Sequence, residues 1–133
     1  MSKKKEYRLK RNSHLSDEEE RVGRAVVHAA FHVHKTLGPG LLERVYEVCF
    51  CHVLTESGFR VQRYLDIPIV IEQIAFDEGL RLDVMVNDLV ICELKAMEQA
   101  QLLCHLKLTE KRLGYLINFN VPLIKDGIKR MIL

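Results

Sequence analysis

Two apolar runs joined by a short polar turn occupy residues 81–95, which read RLDVMVNDLVICELK. Side chains alternate along a strand, so residues two apart share one face of a sheet. Glu93 and Lys95 should therefore point the same way, while Leu94 points into the opposite layer. The run Leu89–Cys92 is apolar at every position, which is typical of a central strand covered on both faces. This stretch predicts a β-hairpin in the middle of a sheet.

The length of the turn determines whether Asp83 joins Glu93. A two-residue loop, the common hairpin form, places Asp83 on the face opposite to Glu93. A three-residue loop, residues 87–89, pairs Val86 with Val90 and sets Asp83 directly opposite Glu93. The sequence leaves both loops open, and only the longer one, or a bulge, gathers two carboxylates and a lysine at one point.

If the three charged groups meet, their chemistry suits a divalent cation. Carboxylate oxygens are hard ligands for Mg²⁺, which keeps several waters and is usually completed by substrate phosphate. Lys95 could then position a water or neutralise developing charge. The alternative is a buried salt bridge between Lys95 and a carboxylate, and spacing alone favours that alternative.

Two helices are predicted before the hairpin. Ser16 and Glu19 form a capping-box pattern, and a 3.6-residue apolar period continues to about Leu37. Glycine and proline then break the helix. A second helix begins at Leu41 and ends at Gly58. Its predicted buried stripe consists of Leu41, Leu42, Val45, Cys49, Val53 and Leu54.

The remaining chain predicts strands, a helix and a short terminal helix. The predicted strands are Phe59–Leu65, Ile67–Phe76, Leu80–Val86, Leu89–Leu94 and Leu113–Phe119. A helix is expected over Glu98–Thr109 and one or two helical turns over Asp126–Ile132. The predicted element order is ααββββαβα in an α/β fold.

Composition limits the class of protein. The chain has 133 residues, 48% of them hydrophobic and 29% charged, as in one soluble globular domain. No apolar run approaches the roughly 20 residues that span a bilayer, and no secretory signal is recognised, so we expect neither secretion nor a membrane role. The four cysteines form no C-x-x-C pair, which predicts reduced thiols in a cytoplasmic protein.

Charge is unevenly distributed along the chain. Residues 1–12 carry six basic residues against one acidic residue, whereas the whole chain has a net charge of +2. We therefore interpret residues 1–12 as a basic flexible arm and residues 13–133 as a single domain. Such an arm can attract nucleic-acid phosphates, although a solubilising tail is the favoured interpretation of the arm by itself.

A G-x-x-E-x-x-Y string runs from Gly40 to Tyr46, with Glu43 in its centre. Glu43 and Tyr46 are three residues apart and share a helical face. With this string, the chain resembles the GxxExxY family, a branch of the PD-(D/E)XK nuclease superfamily. The other matching strings are Arg81-Leu82-Asp83, Glu93-Leu94-Lys95-Ala96, Ala100-Gln101-Leu102-Leu103, Leu116–Pro122 and Lys125–Arg130, and together the resemblance covers about residues 18–133.

The resemblance implies a restriction-endonuclease-like mixed β-sheet flanked by α-helices. It implies that Asp83 and Glu93 are metal ligands, that Lys95 is the signature lysine, and that Glu43 completes the metal site. Gln101 resembles the helical glutamine of related nucleases. The tyrosine expected four residues later is His105 here, and fewer residues than usual separate the E-x-K string from this helix.

The residues and the resemblance together predict a Mg²⁺-dependent nuclease, with Mn²⁺ as a substitute, that acts on nucleic acid, with DNA favoured over RNA as the substrate. Lys125, Lys129 and Arg130 are candidates for phosphate contacts, and a solvated helix face explains them equally well. The small size is compatible with a homodimer that spans a duplex. The alternative is a non-catalytic module that keeps the nuclease fold and binds nucleic acid or a protein partner.

Overall fold

The structure is a computed structural model that describes residues 14–133, apart from the side chains of residues 77 and 78. The predicted basic arm, residues 1–12, lies outside the described residues. Two helices come first, followed by strands, a third helix and further strands. Their bounds are α1 Asp17–Leu37, α2 Glu43–Glu56, β1 Val61–Ile71, β2 Ile74–Val86, β3 Val90–Glu93, α3 Gln99–Thr109, β4 Leu113–Ile117, a 3₁₀ turn Ile124–Gly127, and β5 Ile128–Ile132.

The strands of residues 14–133 form one mixed five-stranded sheet in the order β1-β2-β3-β4-β5. Among these described strands, only β3 and β4 are parallel, because α3 crosses over between them; the other neighbours are antiparallel. Helices α1 and α2 cover one face of the sheet and α3 covers the other. The predicted α/β fold with a mixed sheet flanked by helices is confirmed, and β3 is buried at every position as predicted for a central strand.

Helix α1 begins as the sequence predicts. The Ser16 hydroxyl accepts a hydrogen bond from the Glu19 N–H at 3.0 Å, and the Glu19 carboxylate accepts one from the Ser16 N–H at 2.8 Å. This reciprocal pair satisfies two backbone donors that the first turn leaves without partners. The apolar stripe is buried from Val22 to Val33.

The buried face of α2 differs from the prediction. Leu42 is 77% exposed, and Val45 is also exposed. The residues that face the core instead are Tyr46, Glu47, Phe50, Cys51 and Leu54. The aromatic rings define this face because Tyr46 stacks on Phe119 with centroids 4.8 Å apart. That contact is 73 positions away along the sequence, so the local pattern could not reveal it.

The first strands are longer and fewer than predicted. β1 runs without a break through Asp66 and Pro68, and the chain reverses at Glu72 and Gln73, both of which have positive φ. Pro68 is tolerated because β1 is the sheet edge, where the register shifts at a bulge. Gly79 faces Pro68, and a Cβ there would lie 2.6 Å from the carbonyl oxygen of Ile67.

The predicted terminal helix over 126–132 is wrong. After the 3₁₀ turn, residues Ile128–Ile132 form β5, which pairs antiparallel with β4. A segment this short has no reliable period of its own, and the open edge of β4 supplies the hydrogen-bond partners that make it a strand. Among the described residues, no helix has both the length and the apolar character needed to cross a membrane.

A loop over residues 118–127, which we call the 118–127 loop, joins β4 to β5. Its ends are held together because the Asn118 N–H donates to the Gly127 carbonyl at 2.8 Å. The approach is so close that a Cβ on Gly127 would lie 2.1 Å from the Asn118 oxygen. Only glycine fits at this point.

We predict that Gly127→Ala destabilises the protein. The added methyl group must push the two ends of the loop apart, which should lower the free energy of unfolding by about 1–3 kcal/mol. Denaturant titration measures the change. The control is Asp126→Ala at the neighbouring exposed position, which should stay close to the parent. Equal stability of the two variants would contradict the close packing described above.

Candidate metal and active site

Asp83 and Glu93 meet because the hairpin uses the three-residue loop. Val86 pairs with Val90, and Val84 pairs with Cys92. One residue further along this register, Asp83 lies opposite Glu93. Of the two alternatives that the sequence left open, the structure therefore selects the one that gathers the carboxylates on a single face.

The loop is fixed by its own backbone and by the neighbouring strand. Asn87 and Asp88 have φ of 51° and 54°, a left-handed conformation that these two residue types tolerate better than most. The Leu89 N–H donates to the Val86 carbonyl at 3.0 Å. The Asn87 side-chain oxygen accepts from the Arg60 N–H at 2.7 Å, which ties the turn to the residue preceding β1.

Backbone donors orient both carboxylates. The Leu94 N–H donates to Asp83 Oδ2 at 2.9 Å, and the Asp83 N–H donates to Glu93 Oε2 at 3.3 Å. Asp83 is 2% exposed and Glu93 is fully buried. Burial of two acids is costly unless hydrogen bonds compensate, so these contacts are what make the arrangement tolerable.

Lys95 stands at the opening of the site. Its Nζ lies 3.4 Å from Asp83 Oδ1, and its side chain is 59% exposed. Leu94 is buried in the core beneath α1 and α2, on the other side of the sheet. Glu93 and Lys95 thus share a face, as the alternation predicts, and Lys95 links the buried acids to solvent.

His105 is the site residue whose role the sequence left undefined. Its Nδ1 lies 2.9 Å from Glu93 Oε1, and the ring is buried against the sheet. In the sequence it is marked only by its departure from the tyrosine that the resemblance implies. The usable signal was its position on α3 between Leu102 and Leu106, which face the sheet, because a histidine there must also face the sheet.

The environment changes the protonation of both partners. Burial, and then the charge of Asp83, raises the pKa of Glu93 to about 8. Burial lowers the pKa of His105, which favours the neutral ring. A proton on Glu93 relieves the repulsion between the two acids, and a cation could take its place.

Gln101 lies in the first turn of α3 and is exposed. Its side-chain Oε1 accepts a hydrogen bond from the Glu98 N–H at 3.1 Å, so that oxygen helps to begin the helix. Among the described residues, the side chain of α3 that contacts Glu93 is His105 and not Gln101.

Glu43 lies in the first turn of α2 and is exposed. Within residues 14–76 and 79–133, no hydrogen bond or ion pair joins it to Asp83 or Glu93. Its partner in the motif, Tyr46, has a structural role: the Tyr46 hydroxyl donates to the Gly38 carbonyl at 2.6 Å and accepts from the Leu41 N–H at 3.0 Å. The tyrosine thereby fixes the loop that leads into α2.

The three predicted phosphate contacts do not share one surface. Lys125 is exposed in the 3₁₀ turn. Lys129 pairs with Leu116, which in turn pairs with Glu93, so it lies in the same row across the sheet as the acids. Arg130 is next to Lys129 in β5 and belongs to the opposite face, where its Nη2 lies 3.2 Å from the Glu20 carboxylate. The helix predicted over 126–132 would have placed Lys129 and Arg130 side by side on its surface, whereas the strand points them to opposite faces of the sheet.

A cavity of 240 Å³ opens beside Lys95. Lys129 and Asn118 line it, together with the end of the 118–127 loop at Asp126 and Gly127. Lys95, two residues beyond the end of β3, and Lys129 of β5 therefore line one space beside the buried acids. This is a suitable place for an anionic group.

The carboxylate pair fits a divalent metal, although it provides only part of a coordination shell. In the part of the chain that the structure describes, no group of three or more His, Cys, Asp or Glu side chains is arranged to hold a metal ion. The donors present are two hard carboxylates, and burial, followed by the charge of Asp83, raises the pKa of Glu93 to about 8. A cation such as Mg²⁺, which keeps several waters, is compatible with such an incomplete protein shell.

Comparison with known proteins gives the family. The profile of the PD-(D/E)XK nuclease superfamily matches residues 20–131, which is most of the chain. This protein belongs to the PD-(D/E)XK nuclease superfamily. Searches of curated proteins and of solved structures found no match. In this superfamily member, Glu93-Leu94-Lys95 reads as the acid–any–lysine triplet, whereas leucine at position 82 stands before Asp83 where the name has proline.

A third buried carboxylate, Glu47, has no signal in the sequence pattern that marks it as buried. It is 5% exposed, and its Oε2 accepts hydrogen bonds from the Arg63 guanidinium and the Tyr64 hydroxyl. Both partners come from β1. Arg63 neutralises the charge of Glu47. The contacts of Glu47 with Arg63 and Tyr64 join α2 to the edge strand of the sheet in this nuclease-superfamily member.

We predict that the stability of the metal-free protein falls as the pH rises from about 6.5 to about 8. The folded state holds a proton on Glu93 that the unfolded chain, with an ordinary pKa of 4.5, has released, so raising the pH favours unfolding. The lowered pKa of His105 acts in the opposite direction, but only below its ordinary value of 6.5. Thermal melts in a chelator measure the slope.

Glu93→Gln should remove most of this dependence, because the amide does not titrate. Glu56→Gln, at the exposed end of α2, is the matched control and should keep the parent slope. An unchanged slope in Glu93→Gln would show that the proton is bound elsewhere.

Proposed function

We propose that this protein is a metal-dependent nuclease that hydrolyses phosphodiester bonds, in DNA rather than RNA. One observation carries the proposal: the hairpin register sets Asp83 opposite Glu93, with Lys95 Nζ 3.4 Å from Asp83. The superfamily membership supports the reaction class. We also place the chain in the GxxExxY branch, on the string from Gly40 to Tyr46.

Asp83 and Glu93 would hold Mg²⁺, or Mn²⁺ in its place. When bound, such an ion polarises the phosphate and lowers the pKa of a coordinated water. The remaining coordination positions would come from water and substrate. A bound cation would compete with the proton on Glu93, whose pKa is raised to about 8 by burial and by the charge of Asp83, so the affinity for metal should rise with pH.

The surrounding residues would orient the two acids. The Leu94 N–H fixes Asp83 Oδ2, and His105 meets Glu93 Oε1. Glu93 therefore has both oxygens engaged by the protein, and Asp83 has one oxygen in a backbone hydrogen bond and the other 3.4 Å from Lys95 Nζ. Fixed carboxylates do not have to reorganise when substrate arrives, which is a main source of electrostatic catalysis.

Lys95 would act on the substrate. Its ammonium is adjacent to Asp83 and reaches solvent, so it can donate to a phosphate oxygen or hold the attacking water. The negative charge that develops on the phosphate oxygens would then be met by a positive charge already in place. In this proposal Gln101 orients substrate or water through its amide nitrogen, since its oxygen is engaged at the helix start.

Basic residues outside the pair would attract the nucleic-acid backbone. Lys129 faces the cavity beside Lys95. Lys125 lies on the 118–127 loop, and the end of this loop lines the same cavity. The predicted arm over residues 1–12 would add attraction that does not depend on sequence. Arg130 would contribute only after releasing Glu20. Binding by these groups should weaken as salt rises.

Location and assembly are further parts of the proposal. All four cysteines, which lie within the described residues, are free thiols, as a cytoplasmic protein would have. A homodimer stays a prediction from the small size of the chain.

We predict that Asp83→Asn abolishes both metal binding and cleavage. The amide can still accept the Leu94 N–H, so the fold should persist while a negative ligand is lost. Calorimetric titration with Mn²⁺ and cleavage of labelled DNA measure the two effects. Asp66→Asn, an exposed residue in a surface ion pair, is the control and should retain both.

In the same assays, Lys95→Met should still bind metal but cleave at least about 100-fold more slowly, because the charge that meets the phosphate is gone. Lys107→Met, exposed on α3, should behave as the parent. Cleavage at the parent rate in clean preparations of either Asp83→Asn or Lys95→Met would overturn the proposal.

The competing function is a non-catalytic binding module. Its support is the exposed position of Glu43 and the engagement of Gln101 at the helix start. Such a module would give no heat on titration with Mg²⁺ or Mn²⁺ and would still retain DNA. An intact nuclease site would bind metal, and binding would depend on Asp83.

We propose Glu43 as the carboxylate that completes the metal shell when substrate and metal are present. Glu43→Gln should then weaken metal binding and lower the cleavage rate, while leaving thermal stability within about 0.5 kcal/mol because the side chain is exposed. Glu56→Gln, on the same helix, is the control. Parent-like cleavage by Glu43→Gln would remove Glu43 from the site and leave the carboxylate pair alone.

A further inference from the structure

A second cavity lies on the other side of the 118–127 loop, against the last turns of α1. We call it the α1 cleft; it has a volume of 330 Å³. The residues that matter for its chemistry are Phe31, His32, Lys35, Pro122, Leu123 and Lys125. Phe31 is 46% exposed and Leu123 is 56% exposed, so two large apolar side chains face water here.

The charge around this apolar floor has one sign. Lys35 comes from α1 and Lys125 from the 3₁₀ turn, so the cleft has an amine on each side. None of the described residues that line it is acidic. A flat apolar group flanked by negative charges is the complementary ligand, and a nucleobase between two backbone phosphates has this form.

The walls of the cleft are held in place by several contacts. His34 Nε2 donates to the Val121 carbonyl at 2.7 Å, which joins α1 to the loop. The Gly40 N–H donates to Asn120 Oδ1 at 2.7 Å. Phe119 is stacked on Tyr46 in the core. A cleft formed by a loop with these attachments is already shaped before a ligand arrives.

The 118–127 loop also connects the cleft to the proposed active site. Asn118, Asp126 and Gly127 line the cavity beside Lys95, while Pro122 to Lys125 line the α1 cleft. A strand that leaves the active-site cavity past Lys129 would cross this loop to reach Phe31. The two cavities are thus the two sides of one structural element.

We propose that the α1 cleft is a base-binding subsite for single-stranded nucleic acid, with one base stacked on Phe31 and its phosphates held by Lys35 and Lys125. This inference rests on the proposed function for the choice of nucleic acid as ligand. Bases in a duplex are paired and stacked and cannot enter such a cleft without being extruded. The substrate class is therefore a single strand, or a duplex with an unpaired end.

The test is binding in a chelator, where a metal-dependent enzyme cannot cleave. Fluorescence anisotropy compares a labelled single strand, the same strand with its complement, and a strand with abasic sites. The parent protein should bind the single strand more tightly than the duplex or the abasic strand. Phe31→Ala should weaken single-strand binding roughly 5- to 100-fold, the range for loss of one stacked base.

The chain offers a matched control for this variant. Phe76 is 47% exposed on the β1–β2 hairpin, so Phe76→Ala removes an equally exposed ring from a different surface. It should bind as the parent. Lys35→Gln and Lys125→Gln should each reduce the salt slope of single-strand binding by about 0.7. Leu123→Ser provides a second change in the floor of the cleft and should also weaken binding.

Three results would overturn the subsite: equal affinities of Phe31→Ala and Phe76→Ala, equal affinity for single strand and duplex, or parent-like binding of the abasic strand. A change in sedimentation of Phe31→Ala without a change in binding would assign the cleft to a second copy of the chain. If the parent does not cleave nucleic acid but its binding of a single strand depends on Phe31, the nuclease proposal is refuted and the subsite proposal stands. Cleavage by the parent together with any one of those three results would support the nuclease and overturn the subsite.

Discussion

The contact between Asp83 and Glu93 is the constraint on which the rest of the structure depends. Two acids on neighbouring strands are taken out of water, and each would cost several kcal/mol if it were left without partners. The protein supplies the partners from both directions: backbone N–H groups from the strands, the ammonium of Lys95 from the opening, and the ring of His105 from α3. Helix α3 and the sheet are therefore joined by polar as well as apolar contacts.

Burial and the nearby charge of Asp83 disfavour a second negative charge at this place. They raise the pKa of Glu93 to about 8, which favours one proton on the pair over two negative charges at neutral pH. A well-packed apolar pair would stabilise the fold better, and functional sites are where proteins commonly depart from such packing. Placing both acids on one face requires the three-residue loop, in which Asn87 and Asp88 adopt the less favourable left-handed backbone conformation.

The 118–127 loop connects the cavity beside Lys95 to helix α2. Tyr46 holds the loop through Phe119 and holds the entry to α2 through Gly38, so the tyrosine of the G-x-x-E-x-x-Y string has a mechanical role. The glycine that closes the loop, Gly127, allows β5 to start where Lys129 enters the row of Glu93. The two named residues of the G-x-x-E-x-x-Y string therefore differ in role: Glu43 is an exposed acid, and Tyr46 fixes the structure around it.

Local hydrogen bonds and short periods were readable from the sequence, because their partners lie within a few residues: the Ser16–Glu19 cap, the stripe of α1, and the shared face of Glu93 and Lys95. The choice between two hairpin loops was not, since both satisfy the local pattern. It was decided by long-range partners such as the Arg60 N–H that holds Asn87. Long-range packing also decided two other features. His105 contacts Glu93 because α3 packs on the sheet. Residues 128–132 form a strand because they pair with the edge of β4, and neither partner can be identified from the local sequence.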